Sequence, residues 1–325
     1  MKFRPKLSSL IPYLLVIFIG IGSVVLGGFF NIAIFDPLLV ALILGMTLRS
    51  FIGFDKGYLS IFKRTQSIFI PIGVIFYGAV NLNFLTVTKI DLNFVFILFI
   101  VFLTYIISIF ILSNIFRVGE KTMYLIGAGS TICGASAIAI TSKAVDAEPD
   151  EISISLVAVF IVTLIGIFVV FPIVKNLMSL SSLEYSVLSG SVLQFTGAVK
   201  AALKDMPSKI MDIGLSIKAV RYLGLLLIVP LFASFVKGRL YIPWFLWVFF
   251  ISGLLCTFCP GMTGNYRVFL KTSLNITWSI AMASIGLAVN LKDLISKNGI
   301  KALLVSMASF LIATGVFLTS LVFMR

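Results

Sequence analysis

The chain alternates between long apolar runs and short polar edges. The hydrocarbon core of a bilayer takes about 20 apolar residues as one helix. Runs of about that length predict eleven spans, near 11–31, 37–53, 66–82, 93–116, 122–142, 154–174, 185–203, 215–236, 241–259, 272–289 and 300–323. The expected fold is an all-α polytopic membrane protein of about 11 transmembrane helices, with 10 as the alternative count. The second run is short and predicts a tilted helix or a locally thinned bilayer. No polar stretch is long enough to fold separately. Residues 1–325 therefore read as one transmembrane domain with halves of about 1–152 and 153–325. The basic start, MKFRPKLSSL, precedes too long an apolar run for a signal peptide and reads as the approach to a first transmembrane helix.

Composition agrees: 60% of residues are hydrophobic and 11% charged, where soluble domains carry about 25% charged residues. Net charge is +13, with the basic residues at span edges. That placement suits anchoring at the membrane surface and gives no support for nucleic-acid binding. With the N-terminus inside, fifteen Lys and Arg fall on the inner side and ten on the outer. Five of those ten, Lys200, Lys204, Lys209, Lys218 and Arg221, surround one connection. Either a span is miscounted there or these charges have another task.

The chain has no histidine and three cysteines, Cys133, Cys256 and Cys259, all in apolar segments. Neither a metal site nor a cofactor site is expected, and no catalytic set is evident in the spans, so the chain does not read as an enzyme. All twelve acids fall at span edges or in loops. An antiporter with a mid-membrane carboxylate as ion carrier is therefore disfavoured.

One stretch departs from the aromatic and branched surroundings. In GAGSTICGASAIA (127–139), eleven of thirteen residues are Gly, Ala, Ser, Thr or Cys. A helix-packing face, a transmembrane helix broken near its middle, and a pore filter would each use small residues. Small residues on nearly all faces, and three weak helix positions at Gly127, Gly129 and Gly134, favour the break. A second candidate break is SVLSGSVLQFTGAVKAALK (186–204). Interrupted spans in both halves of a chain point to a transporter site. Lys218 and Arg221, three residues apart in an apolar run, share a helix face and point to an anionic substrate, or hold the broken helices at their crossing. AVNLNFL (79–85) and AVNLKDL (288–294) share five of seven residues, and each closes a span opened by a basic-Thr-polar triplet. The two spans are expected to run in opposite directions, as in an inverted repeat.

The blocks GAGSTICGASAIAI (127–140), IKAVRYLGLLLIVP (217–230) and AMASIGLAVNLKDL (281–294) resemble signatures of the sulfate exporter family of conserved bacterial and archaeal membrane proteins. That family is grouped with the cation/proton antiporter and bile-acid symporter superfamily. The resemblance implies inverted repeats, two discontinuous crossing helices, and separate core and panel layers. It departs at Gln194, where members often carry His, and at Ser142-Lys143, where members tend to have Ala-Pro.

The expected function is secondary transport of a small anion, sulfate or an organic sulfonate or carboxylate, across the cytoplasmic membrane by alternating access. Ser130, Thr131, Cys133, Gly134 and Ser136 form one half-site, and Gln194, Thr196 and Lys200 the other. Lys218 and Arg221 neutralise the substrate or hold the crossing, and Asn81 and Asn290 cap the two related spans. Sodium-coupled symport of an organic anion, and a channel or scaffold without a transport cycle, are the alternatives. Na+ or H+ as coupling ion, and a homodimer, stay open.

Overall fold

The computed structural model describes every residue except 1–6, 31–35, 55, 83, 86–89, 260–265, 290–295 and 325. Among the described residues all eleven apolar runs are helical, and six helices are long and apolar enough to cross a membrane. Several start on caps that the sequence supplies. Asp36 accepts from the amide of Leu38 and Pro37 opens α2 (Pro37–Phe51). Glu148 and Glu151 form a capping box ahead of the long α7 (Pro149–Leu177), as Ser181 and Glu184 do ahead of α8 (Ser182–Val192). Such caps satisfy orphan amides at a helix start. The other elements are α1 (Leu7–Phe30), α3 (Lys56–Asn81), α4 (Leu92–Phe116), α5 (Glu120–Thr131), α6 (Ala135–Ala144), α9 (Thr196–Ala202), α10 (Ser208–Lys237), α11 (Trp244–Phe258), α12 (Arg267–Ala288) and α13 (Lys297–Met324).

Two of the eleven runs do not cross. α5 and α6 form a hairpin that returns to the face it left. Lys121, at the start of α5, donates to the carbonyl of Asp146, just beyond α6, at 2.6 Å. A straight helix between them would be over 30 Å long at 1.5 Å per residue. α8 and α9 likewise fold back. Ser186 on α8 bonds the carbonyl of Ile210, and both Ser186 and Leu203 lie against Gly214 of α10. The residues on either side of α8–α9 therefore sit at one depth. The pair of discontinuous crossing helices is corrected to two hairpins that fold back on themselves. Composition marked where each helix breaks, but not whether the chain continues or turns back.

The correction accounts for two of the five cations. Lys218 and Arg221 belong to no loop; they lie at the hairpin tips. Because each hairpin fails to cross, the two errors cancel for all elements after α8. Only the segment between the hairpins changes sides, so Lys143 and Lys175 exchange faces. Ion pairs agree: Lys63 at the start of α3 meets Glu148 at 2.5 Å, and Lys237 at the end of α10 pairs with Asp146.

The helices sort into two layers. One, the panel, packs α1, α2, α3, α11 and α12 together. The other, the core, packs both hairpins with α4, α7, α10 and α13. The layers meet mainly where α3 touches α6 and α12 touches α7. In the panel, Gly45 and Gly286 let α2 and α12 approach to backbone contact; a Cβ on Gly286 would stand 2.3 Å from the Leu42 carbonyl oxygen. α3 and α12, which carry the internal echo, run antiparallel. Gln66 donates to the carbonyl of Ser284 at 3.1 Å, and Gly73 packs on the Trp278 ring. α1 and α4 turn large apolar side chains such as Phe18 and Phe99 outward, as lipid contact requires.

The hairpin can be read from outside. In a variant lacking Cys256 and Cys259, an impermeant thiol reagent should label Lys121→Cys and Asp146→Cys from one side of a sealed vesicle, and Leu177→Cys from the other. Labelling of Lys121→Cys and Asp146→Cys from opposite sides would restore the crossing helix.

Candidate functional site

Every residue from Thr122 to Ser142 is buried. That explains small residues on all faces: the hairpin is enclosed by protein, and its arms touch each other. A Cβ on Gly129 would stand 2.7 Å from Ile138. Close packing and a broken helix are therefore both present here. The turn needs Gly134, at φ +70° and ψ −121°, a region that residues with a side chain rarely enter. Its face meets the ring of Phe195 from the second tip, 2.7 Å from where a Cβ would stand. The second turn runs from Leu193 to Phe195, two extended residues with a bend at Gln194 between them.

Each hairpin's first arm ends with orphan carbonyls at the negative end of its helix dipole. Two cations take them. Lys218 Nζ donates to the carbonyls of Ile132 (2.8 Å), Leu193 (2.7 Å) and Gln194 (2.6 Å). Arg221 donates to Ser130 (2.6 Å), Thr131 (2.8 Å), Leu193 (2.7 Å) and Gly190 (3.3 Å). Lys218 is 0% and Arg221 2% exposed, and among the described residues neither makes an ion pair. A cation at this depth costs about 3 kcal/mol on insertion scales. Hydrogen bonds to a charged group contribute about 1.5–3 kcal/mol each, so seven of them offset that cost. Tyr105 adds a bond to the carbonyl of Val192 at 2.9 Å.

With the carbonyl ends taken, the opposite ends of the turns face a cavity of ≈ 320 Å³ between the layers. The core side of its wall includes Cys133, Ser136, Phe195, Thr196, Lys200 and Tyr222, and the panel side includes Asp36, Tyr77, Asn81, Asn275 and Trp278. Thr196 and Tyr222 share a hydrogen bond at 2.6 Å. Tyr77, Cys133 and Ser136 line the same cavity. Trp278 is buried, and its Nε1–H has no acceptor among the described residues. A second cavity, ≈ 200 Å³, lies at the other end of the same layer contact, between Lys63 and Gln66 of α3 and Ser142, Lys143 and Glu148. α3 and α6 run from one cavity to the other and touch between them.

Of the residues expected at a site, Cys133, Ser136, Thr196, Lys200 and Asn81 line this cavity, and Gly134 forms the adjoining turn. Five others do not line it. Ser130 and Thr131 offer their carbonyls to Arg221, and the Thr131 hydroxyl bonds the carbonyl of Gly127. Gln194 is fully buried behind the tip, accepting from Thr163 at 2.6 Å and donating to Tyr105 at 3.4 Å. Lys218 and Arg221 hold the two tips together. Asn290 lies outside the described residues. Sequence reasoning missed Tyr77, Tyr222, Trp278 and Asn275, because polar and aromatic residues are ordinary in membrane helices. It also missed Asp36. α2 has 15 residues, about 22 Å of helix against a hydrocarbon core of about 30 Å. Asp36 caps that short helix and joins the cavity wall.

This architecture defines a polytopic helical membrane protein with two re-entrant hairpins meeting tip to tip beside an interlayer cavity. The family model described as conserved hypothetical protein 698 matches residues 12–306, and the chain belongs to that family. It is similar to a UPF0324 membrane protein of Clostridium perfringens, 27% identical over 93% of each chain. It is also similar to a UPF0324 membrane protein of Archaeoglobus fulgidus, 27% identical over 85% of this chain and 82% of that one. The UPF0324 inner membrane protein YeiH of Escherichia coli is 28% identical over the same shares. No solved structure matches the chain.

Proposed function

We propose that the protein is a secondary transporter that carries a small anion across the cytoplasmic membrane by alternating access, and is not an enzyme. One observation carries this reading: two hairpins meet beside a cavity at a layer contact, with a second cavity at the far end of that contact. Sliding of the core past the panel would open the tips to one cavity and then to the other. The amide end of α6, Thr196 and Lys200 favour negative charge. The resemblance to sulfate exporters supports the same class. In this reading nine helices cross, the hairpins enter from opposite faces as an inverted repeat would place them, and the N-terminus is cytoplasmic.

The cavity favours an organic sulfonate or carboxylate over bare sulfate. Its ≈ 320 Å³ equals about ten waters at about 30 Å³ each, far more than a tetrahedral oxyanion fills. Tyr77, Phe195, Tyr222 and Trp278 supply aromatic walls for an apolar body. Sodium coupling through backbone carbonyls at the tips has no support here, since Lys218 and Arg221 occupy those carbonyls. A proton would be carried by Asp36, the acid in the cavity wall.

The test is counterflow in proteoliposomes with labelled sulfate, a short alkanesulfonate and an aromatic carboxylate. We expect saturable, trans-stimulated uptake, with an organic anion preferred about tenfold over sulfate. A preference for sulfate over every organic anion would remove the size argument. Non-saturating flux would indicate a channel, and no flux of any anion a scaffold. An imposed pH gradient in the same vesicles that leaves uptake unchanged would remove Asp36 as a carrier.

A further inference from the structure

Lys218 is bound as a free cation would be. Its ammonium sits fully buried among three backbone carbonyls, one from the first tip and two from the second, at 2.6–2.8 Å. All three hydrogens of the ammonium are thereby used. No acid pairs with it among the described residues, and the charge is met by the carbonyl ends of two half-helices. The carbonyl of Leu193 is shared with Arg221, so the two cations and both turns form one unit. A ring of inward-facing carbonyls contributed by two separate backbones is a cation site in its own right.

We propose that the two hairpin tips build a binding site for a monovalent cation, and that the protein fills it permanently with the ammonium of its own Lys218. The tethered charge locks the tips to each other and makes their assembly independent of sodium or any other dissolved cation. The carbonyls belong to the backbone, so the site outlasts the lysine. Removal of the side chain leaves a seat and a channel the width of a butyl chain.

The experiment compares thermal midpoints of purified wild type and Lys218→Ala in equal concentrations of methylammonium, sodium and tetramethylammonium chloride. Methylammonium reproduces Nζ and Cε with three donors; tetramethylammonium has the charge but no donor. Binding to the folded state alone raises stability by mass action. We expect Lys218→Ala in tetramethylammonium to lie several degrees below wild type, with methylammonium or sodium restoring at least half of the loss. Wild type should respond equally to the three salts. Lys218→Met, which fills the channel with an uncharged stem, should lose stability without any salt restoring it. The proposal is overturned if Lys218→Ala is as stable as wild type, if it responds equally to all salts, or if sodium selectively stabilises wild type. Where Lys218→Ala does not survive purification, membranes solubilised in each salt are passed over a size-exclusion column. A monodisperse peak in methylammonium or sodium but not in tetramethylammonium supports the site; its absence in every salt, or its presence in all three, overturns it. The readout is stability, so it stands apart from whether the protein transports an anion.

Discussion

Arg221→Ala is expected to lower the thermal midpoint of the purified protein by roughly 10 °C and to abolish anion uptake. The side chain donates to four carbonyls on both hairpins. Its loss leaves buried acceptors unmet, at about 1–3 kcal/mol for each group that finds no water. A total of about 4 kcal/mol is a reasonable expectation, and each kcal/mol moves the midpoint by about 2–4 °C in a large domain. Arg221→Lys should recover only part of the loss, because one ammonium cannot span the carbonyls that a planar fork reaches. Arg239→Ala, at an exposed position, should stay within about 0.5 kcal/mol of wild type. An Arg221→Ala midpoint within 2 °C of wild type, in roughly the error of such a comparison, would mean that the tips hold together without the clamp.

The clamp shows which features the sequence made legible. The breaks could be read because small residues at 127–139 cover every face of a helix, which no lipid-facing helix needs. Lys218 and Arg221 stood out because charge inside an apolar run demands a partner. What sequence did not supply was the direction of each second arm. α5 and α6 have 12 and 10 residues, about 18 and 15 Å, so end to end they would just cross and side by side they fold back. Composition is the same in both cases. The discriminating contact joins Lys121 to Asp146, 25 residues apart. The partner of the cations was also illegible. Acids are visible in a sequence, whereas backbone carbonyls released by a break are not, and so the sequence offers an anionic ligand and a clamp on the broken helices as equal alternatives.

Among the described glycines, Gly134 alone combines a positive φ with a close contact, and Gly134→Ala should cost about 2–6 kcal/mol. Two costs coincide there. The backbone at φ +70°, ψ −121° is strained for any residue with a Cβ, at about 1–3 kcal/mol. The new methyl would also stand 2.7–2.9 Å from three atoms of the Phe195 ring, and overpacking of this kind costs about 1–3 kcal/mol. Gly238 separates the two terms. It too has positive φ, +65°, but nothing lies near its Cβ position, so Gly238→Ala should cost only about 1–2 kcal/mol. In a double-mutant cycle, Phe195→Ala should relieve the steric part of Gly134→Ala and leave the backbone part. The expected coupling is about 1–2 kcal/mol, within the range for residues in contact. Additive effects would show that the tips do not press on each other. The functional consequence follows from position: Phe195 lines the cavity and Gly134 joins two residues that do, Cys133 and Ala135. Pushing the tips apart therefore reshapes the cavity wall, and uptake should fall even where Gly134→Ala remains folded.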